Sequence, residues 1–185
     1  MKKFIAPEDA SDWLKDGKIL IHPTEGIWGI GCAAFNKTAV NKIVKLKQRS
    51  YSKSFIILAR SADQAINYFD GISSQQADYL NKVWPGHLTA VMIAKDSIPN
   101  HLKALDKTIA VRVSDHLHIM SLLDFFGGPM VSTSANISNR QTPIDIEEIM
   151  KIFSDNDVAV YAHENGEAIK PSTIIDIRTM EFIRE

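Results

Sequence analysis

Short apolar stretches recur along the chain and alternate with amphipathic segments. Each stretch is four to six residues long and rich in valine and isoleucine, a pattern typical of buried β-strands. Seven strands are predicted in this way, over residues 18–21, 55–59, 88–93, 109–113, 130–133, 158–161 and 173–177. Capping residues between them predict helices that begin near residues 61, 74, 114 and 145. The alternation predicts an α/β or mixed α+β domain that spans residues 1–185.

The segment TAVNKIVKLKQR, residues 38–49, is predicted to be a helix with an unusual apolar face. At about 100° per residue, Lys47 falls within about 20° of Val40 on the face that also carries Ile43 and Val44. A lysine on an apolar face either extends its ammonium group to solvent or points into a cleft, and the pattern leaves both open.

Further cations cluster around this helix. Lys42, Lys45 and Arg49 form a second stripe, and Lys53 follows four residues after Arg49. A solvated helix face explains the stripe taken alone. Because the whole chain has a net charge of −1, however, five cations within twelve residues also indicate a bound anionic ligand.

Composition excludes several classes of protein. The chain has 185 residues, of which 45% are hydrophobic and 23% charged, as in a soluble globular protein. One cysteine excludes an internal disulfide and a multi-cysteine metal site, and we expect Cys32 to be a buried packing residue. Neither a secretory signal nor a run of about 18 apolar residues is present. We therefore expect a cytoplasmic protein that does not cross a membrane.

Two polar segments are candidates for ligand binding. The stretch HPTEGIWGIG, residues 22–31, leaves a predicted strand and has three glycines, and STSAN, residues 132–136, follows another strand with small hydrogen-bonding side chains. The glycine-rich phosphate-binding motifs GxxxxGK[ST] and GxGxxG are absent from the sequence. Any bound phosphate must therefore be held by side chains.

Six segments, in order, resemble the signatures of one family. HPTEGIWGIG is similar to the YPT[DE]xxYGLG signature of the YrdC/TsaC family of L-threonylcarbamoyladenylate synthases, and KQR with Lys53 to its KxRPxxKP block. WPGHLT, IAVRVSDH, STSAN and PSTIIDI resemble its remaining blocks. The match covers residues 22–177, and six collinear segments are far more specific than any one alone.

The resemblance implies a fold and a reaction. The fold is a YrdC-like twisted mixed β-sheet with flanking helices around a concave basic cleft. The reaction joins L-threonine, bicarbonate and ATP into threonylcarbamoyl-AMP and pyrophosphate, and other proteins then transfer the threonylcarbamoyl group to tRNA. The 22–31 stretch is then a strand end and tight turn that lines the threonine pocket.

The resemblance also implies roles for individual residues. It implies catalytic roles for Lys47, Arg49 and Lys53. It implies ATP contacts for Arg49, Lys53, Thr108, Asn136 and Arg184. It implies contacts in or near the threonine pocket for Thr24, Arg112, Ser134 and Ser172. We expect Mg²⁺ to arrive with ATP, and no protein metal site.

The sequence departs from the family pattern at five positions. His22 and Trp28 replace tyrosines, Gly26 replaces a threonine found in many relatives, and Ser50 and His87 replace prolines. The loss of a hydroxyl at Gly26 puts threonine contacts in that turn in doubt.

Two alternatives remain open. The chain could be a non-catalytic double-stranded RNA or tRNA-binding module, or a carbamoyl-adenylate domain like that of hydrogenase-maturation proteins. The second requires acylphosphatase and zinc-finger domains that this sequence lacks.

Overall fold

The structure of the protein is a computed structural model that describes residues 1–50, 55–168 and 170–185. The strands are β1 (Lys2–Phe4), β2 (Ile19–His22), β3 (Gly29–Ala33), β4 (Ile56–Leu58), β5 (Leu88–Ile93), β6 (Thr108–Arg112), β7 (Met130–Ser134), β8 (Val158–Tyr161), β9 (Thr173–Asp176) and β10 (Glu181–Arg184). The helices are α1 (Pro7–Lys15), α2 (Lys37–Leu46), α3 (Ala62–Ile66), α4 (Ser74–Val83), α5 (Leu117–Phe126) and α6 (Ile146–Ile152), with a short 3-10 helix at Asn100–Leu102.

The described strands form one mixed sheet in the order β1-β8-β2-β3-β7-β4-β6-β5-β9-β10. Strands β1 and β2 lie parallel to β8, β4 lies parallel to β6, and β5 lies parallel to β9. The other neighbouring pairs are antiparallel. The predicted mixed α/β fold is confirmed, and all seven predicted strands are present with ends within one residue of those expected.

Alternating side chains build a core on each face of the sheet. Ile19 and Ile21 point to the face covered by α2, α3, α4 and α6, whereas Leu20 points to the face covered by α1 and α5. Both cores are made mainly of buried aliphatic and aromatic side chains. None of the helices in the described part of the chain is both long and apolar enough to span a membrane.

The hydrophobic pattern did not predict β1, β3, β10 or α1. Strand β3 is the most informative of these elements. The expected turn in the 22–31 stretch is present at residues 24–27, but Gly29 and Gly31 lie beyond it inside β3, which pairs with β2 through the His22–Gly29 register. Gly29 has no space for a side chain, because a Cβ there would lie 2.4 Å from Cε1 of His22. The glycines therefore make room for the histidine ring that departs from the family pattern.

Candidate active site

A cavity of about 340 Å³ opens on the face of the sheet that α1 and α5 cover only in part. It is lined by Thr24, Gly26, Ile27, Trp28, Gly29, Arg49, Ile56, His87, Arg112, Ser132, Thr133, Ser134, Lys170, Pro171, Ser172, Ile174 and Arg184. Four of these residues are cations, and none of the lining residues in the described ranges is acidic. Such a surface favours an anionic ligand.

Helix α2 ends earlier than the sequence predicts, and this early end brings Arg49 to the cavity. The helix stops at Leu46, and Gln48 adopts a left-handed conformation with a φ of 50°. The backbone N–H of Arg49 donates to the carbonyl of Val44 at 2.9 Å, and that of Gln48 donates to Lys45 at 3.0 Å. This Schellman motif turns the chain so that Arg49 leaves the helix, and its guanidinium lies 4.9 Å from the ring of Phe55.

Lys47 neither extends to solvent nor lines the cavity. Its side chain is buried, and its Nζ donates to the backbone carbonyls of Ser134 and Asn136, the latter at 2.7 Å, with the Asn136 Oδ1 at 3.3 Å. Burial, aided by the charge of Arg49, lowers the pKa of Lys47 to about 7, whereas the three oxygens stabilise its charged form. The structure therefore makes Lys47 an anchor for the segment that follows β7.

The end of β7 is held by its own side chains as well. Ser134 Oγ donates to Asn136 Oδ1 at 2.6 Å, and Asn136 Nδ2 donates to the carbonyl of Ile137 at 3.0 Å. Ser134 lines the cavity, but Asn136 does not. Asn136 therefore supports the cavity wall through its bond to Ser134, and its expected ATP contact stays a prediction.

Thr24 closes a turn at the cavity rim. Its Oγ1 donates to the carbonyl of Ile27 at 2.5 Å and lies 3.1 Å from the backbone nitrogen of the same residue. The backbone N–H of Thr24 donates to the side chain of Asn165 at 2.9 Å. Because the hydroxyl proton of Thr24 is already donated to the carbonyl of Ile27, this hydroxyl cannot also donate to a ligand.

Arg112 forms a buried ion pair with Glu25, and its Nε donates to the carbonyl of Gly86 at 3.3 Å. Ser114 Oγ donates to the carboxylate of Glu25 at 2.6 Å. Burial raises the pKa of Glu25, but Arg112 and Ser114 outweigh it, so that the pKa lies below its ordinary value. Burial lowers the pKa of Arg112, and Glu25 opposes this shift. Arg112 therefore lines the cavity with part of its guanidinium held by Glu25.

Arg184 closes the cavity from the C-terminal strand. Its Nε and Nη2 donate to the carbonyl of Ser172 at 3.0 and 2.6 Å. Ser172 Oγ lies 2.9 Å from Oγ1 of the buried Thr89, which fixes the start of β9. Both residues, expected from the family resemblance to bind substrates, thus lie together at the cavity.

The structure brings together most of the predicted site residues that it describes. Those that line the cavity are Thr24, Arg49, Arg112, Ser134, Ser172 and Arg184. Thr108 does not, because it begins β6 whereas Arg112 ends it, and four residue steps along the strand separate them by about 13 Å. Lys53 lies outside the described residues.

The cavity also contains residues that the sequence did not single out as ligand contacts. Lys170 adds a cation, and His87 adds a half-buried imidazole whose pKa is lowered by burial and by Arg112. Glu25 was missed because nothing in the sequence pairs it with Arg112. Cys32 is buried in the core as expected, and burial raises the pKa of its thiol.

The described residues contain no group of three or more histidine, cysteine, aspartate or glutamate side chains arranged to hold a metal ion. The cavity therefore presents cations, hydroxyls and backbone groups to a ligand.

Comparison with known proteins assigns the chain to a family. A family model named for Sua5, YciO and YrdC, and described as "Telomere recombination", matches residues 12–185. The chain belongs to the Sua5/YciO/YrdC family. It is 34% identical over 187 residues to a threonylcarbamoyl-AMP synthase of Vibrio campbellii, with 100% of both chains covered. It is also 34% identical over 180 residues to the enzyme of the same name from Vibrio parahaemolyticus, with 96% of this chain and 97% of the relative covered.

Solved structures of family members share the fold. P. abyssi Sua5 complexed with L-threonine superposes with a TM-score of 0.81 at 26% identity, over 95% of this chain and 53% of that one. The chain therefore spans about half the length of that protein. E. coli YciO superposes with a TM-score of 0.84 at 24% identity, over 97% of this chain and 88% of that one, which supports the fold alone.

Proposed function

We propose that the protein is a threonylcarbamoyl-AMP synthase, which joins L-threonine, bicarbonate and ATP into threonylcarbamoyl-AMP with release of pyrophosphate and water. The observation that carries the proposal is the cavity lined by four cations and, among the described residues, by no acid. Full-length similarity to threonylcarbamoyl-AMP synthases and the fold shared with a threonine complex support it.

The chemistry requires such a cavity. The threonine amine first combines with bicarbonate to give a carbamate, and a carbamate oxygen then attacks the α-phosphorus of ATP. Both reactants are anions, so their approach must be compensated by positive charge. Side chains that hold and orient them lower the barrier without forming a covalent bond to either.

The side chains that line the cavity suggest which group of the substrates each one binds. Arg49 and Arg184 hold the triphosphate, and Lys170 adds a third positive charge. Arg112 takes the carboxylate of threonine with the N–H groups that Glu25 leaves available. Ser134 and Ser172 contribute smaller polar contacts. For Lys47 and Lys53, the family resemblance supports a catalytic role toward the triphosphate and carbamate. For Thr108 and Asn136 it supports ATP contacts, although neither residue lines the described cavity.

The remaining components follow from the reaction. Mg²⁺ accompanies ATP as part of the substrate and neutralises its phosphates. We also propose that residues 1–185 act as a single domain, and that the reaction takes place in the cytoplasm, where ATP is available. The product serves proteins that transfer the threonylcarbamoyl group to tRNA, and tRNA itself is at most a weak ligand of this chain.

Mass spectrometry of the product tests the proposal. With carbon-labelled bicarbonate, threonine and MgATP, we expect a threonylcarbamoyl adenylate that contains the label, and pyrophosphate release that requires threonine and bicarbonate. Pyrophosphate release that is unchanged when threonine is omitted would contradict the proposal. A non-catalytic RNA-binding module, the alternative raised by the sequence, predicts salt-sensitive binding and no pyrophosphate.

A further inference from the structure

A buried histidine lies directly behind one wall of the cavity. The His22 ring is fully buried, with Nδ1 2.9 Å from the carbonyl oxygen of Pro23 and Nε2 3.2 Å from Oγ of Ser132. Ser132 lies on β7 and lines the cavity, with 8% of its surface exposed. The imidazole thus connects a backbone carbonyl to a hydroxyl at the ligand surface.

The carbonyl determines the tautomer of the ring. A carbonyl oxygen only accepts hydrogen bonds, so Nδ1 of His22 must carry the proton. In the neutral ring Nε2 is then an acceptor, and the hydroxyl of Ser132 must donate to it. Burial lowers the pKa of His22 to about 4, which keeps the ring neutral near pH 7.

The surrounding backbone holds the ring in this position. A Cβ at Gly29 would lie 2.4 Å from Cε1 of His22, and one at Gly31 would lie 3.3 Å from its Nε2. Any other residue at Gly29 would therefore displace the ring. The two glycines of β3 and the histidine form one packing unit.

We propose that His22 fixes the hydroxyl of Ser132 as a hydrogen-bond acceptor toward the cavity, so that Ser132 recognises a donor group of the amino-acid substrate. The hydroxyl proton is used on the buried side, and only the oxygen lone pairs face the ligand. The identity of the ligand rests on the proposed function: L-threonine offers its hydroxyl and its amine as donors. A substrate group that can only accept is disfavoured at this wall.

A serine that donates to a histidine also resembles a nucleophile with its base, but the surroundings argue against that role. An effective general base has a pKa near the working pH, and burial makes His22 a much weaker base than that. The structure therefore assigns His22 a positioning role and Ser132 a binding role.

NMR spectroscopy of the imidazole nitrogens tests the tautomer in the wild-type protein. We expect His22 to carry its proton on Nδ1 and none on Nε2 at neutral pH. His101 is an internal control, because its Nε2 lies 3.0 Å from the carbonyl oxygen of Ala34 and must carry the proton. A protonated Nε2 on neutral His22 would overturn the proposal.

Calorimetry tests the contact without turnover. We expect Ser132→Ala to weaken threonine binding about tenfold, the loss of one hydrogen bond. If valine binding is unaffected, the donor is the threonine hydroxyl; if it weakens equally, the donor is the amine. Unchanged affinity for both amino acids would overturn the proposal.

Variants of the histidine separate positioning from packing. We expect His22→Leu to weaken threonine binding as Ser132→Ala does, and His22→Gln, whose side-chain oxygen can accept from Ser132, to restore part of it. Because binding and tautomer are measured without ATP, an enzyme that releases no pyrophosphate would overturn the proposed function alone.

Discussion

The Nζ of Lys47 lies 2.7 Å from the backbone carbonyl oxygen of Asn136. Lys47 lies two residues before Arg49, and the sequence predicts that it contacts the anionic substrates directly. Its Nζ holds the end of β7 and the residues that follow, and Ser134, the last residue of β7, lines the cavity. The anchoring contacts are what the structure adds for this lysine, and its catalytic role toward the substrates stays a prediction.

Replacing Lys47 tests this anchoring role. Lys47→Met keeps most of the volume but removes the hydrogen bonds that the ammonium group donates to the carbonyls of Ser134 and Asn136, so we expect the free energy of unfolding to fall by about 2–4 kcal/mol. Urea denaturation measures the change. Lys45→Met, two residues earlier on the exposed face, is the matched control and should alter stability by less than about 0.5 kcal/mol. Equal stabilities of the two variants would contradict the anchor.

Arg49 is the cavity cation that the end of α2 positions. We expect Arg49→Ala to raise the KM for ATP by about 10- to 100-fold, the effect of losing a charge-assisted hydrogen bond to phosphate. Steady-state kinetics of pyrophosphate release provide the measurement. Arg60→Ala removes an exposed arginine that pairs with Asp124 and does not line the cavity, and it should leave the KM unchanged.

The Glu25–Arg112 pair predicts a pH dependence of stability. The folded-state pKa of Glu25 lies below its ordinary value of 4.5, so the carboxylate stabilises the fold above that pH. This contribution is lost as the pH falls through the lower, folded-state pKa. Chemical denaturation across pH 3–6 should therefore show a decline at the acid end for the wild type, and a smaller decline for Glu25→Gln.

Removing that carboxylate also leaves Arg112 buried without its counter-ion. At pH 7 we expect Glu25→Ala to lower the free energy of unfolding by about 3–5 kcal/mol, as for other broken buried pairs. Glu8→Ala, an exposed carboxylate on α1, is the control and should have little effect. If Glu25→Ala is as stable as Glu8→Ala, the ion pair does not contribute as described.

Gly26 predicts a constraint on the turn at the cavity rim. A Cβ at this position would lie 2.1 Å from the carbonyl oxygen of Ala168, whose N–H donates to the carbonyl of Glu25 at 2.7 Å. We expect Gly26→Ala to lower thermal stability by the equivalent of about 1–3 kcal/mol, because backbone must move. Gly128→Ala, whose added Cβ meets a side chain at 3.2 Å, should be milder.

The pattern of hydrophobic residues predicted most of the sheet, because the central strands of the sheet are buried on both faces and rich in branched residues. It missed β3, whose glycines resemble a turn but accommodate the ring of His22. It also extended α2 to Arg49, because the left-handed position that ends the helix is occupied by Gln48 and not by the usual glycine. The first error arises where a tertiary contact overrides local preference, and the second where a residue other than glycine adopts a left-handed conformation.

For the site, the family motifs indicated the correct region but not which side chains face the ligand. A motif contains the residues that build a wall as well as those that line it, so Asn136 and Lys47 could not be told from Arg49 by sequence. The sequence also did not predict the pairing of Glu25 with Arg112, because this ion pair joins segments that only the folded sheet brings together.

The most direct test of the account is a crystal structure with threonine and a non-hydrolysable ATP analogue. We predict the triphosphate within hydrogen-bond distance of Arg49 and Arg184, with the carboxylate of threonine at Arg112. A triphosphate bound elsewhere, such as the separate cavity lined by His118 and His163, would contradict the central claim that the four cations bring the two anionic substrates together.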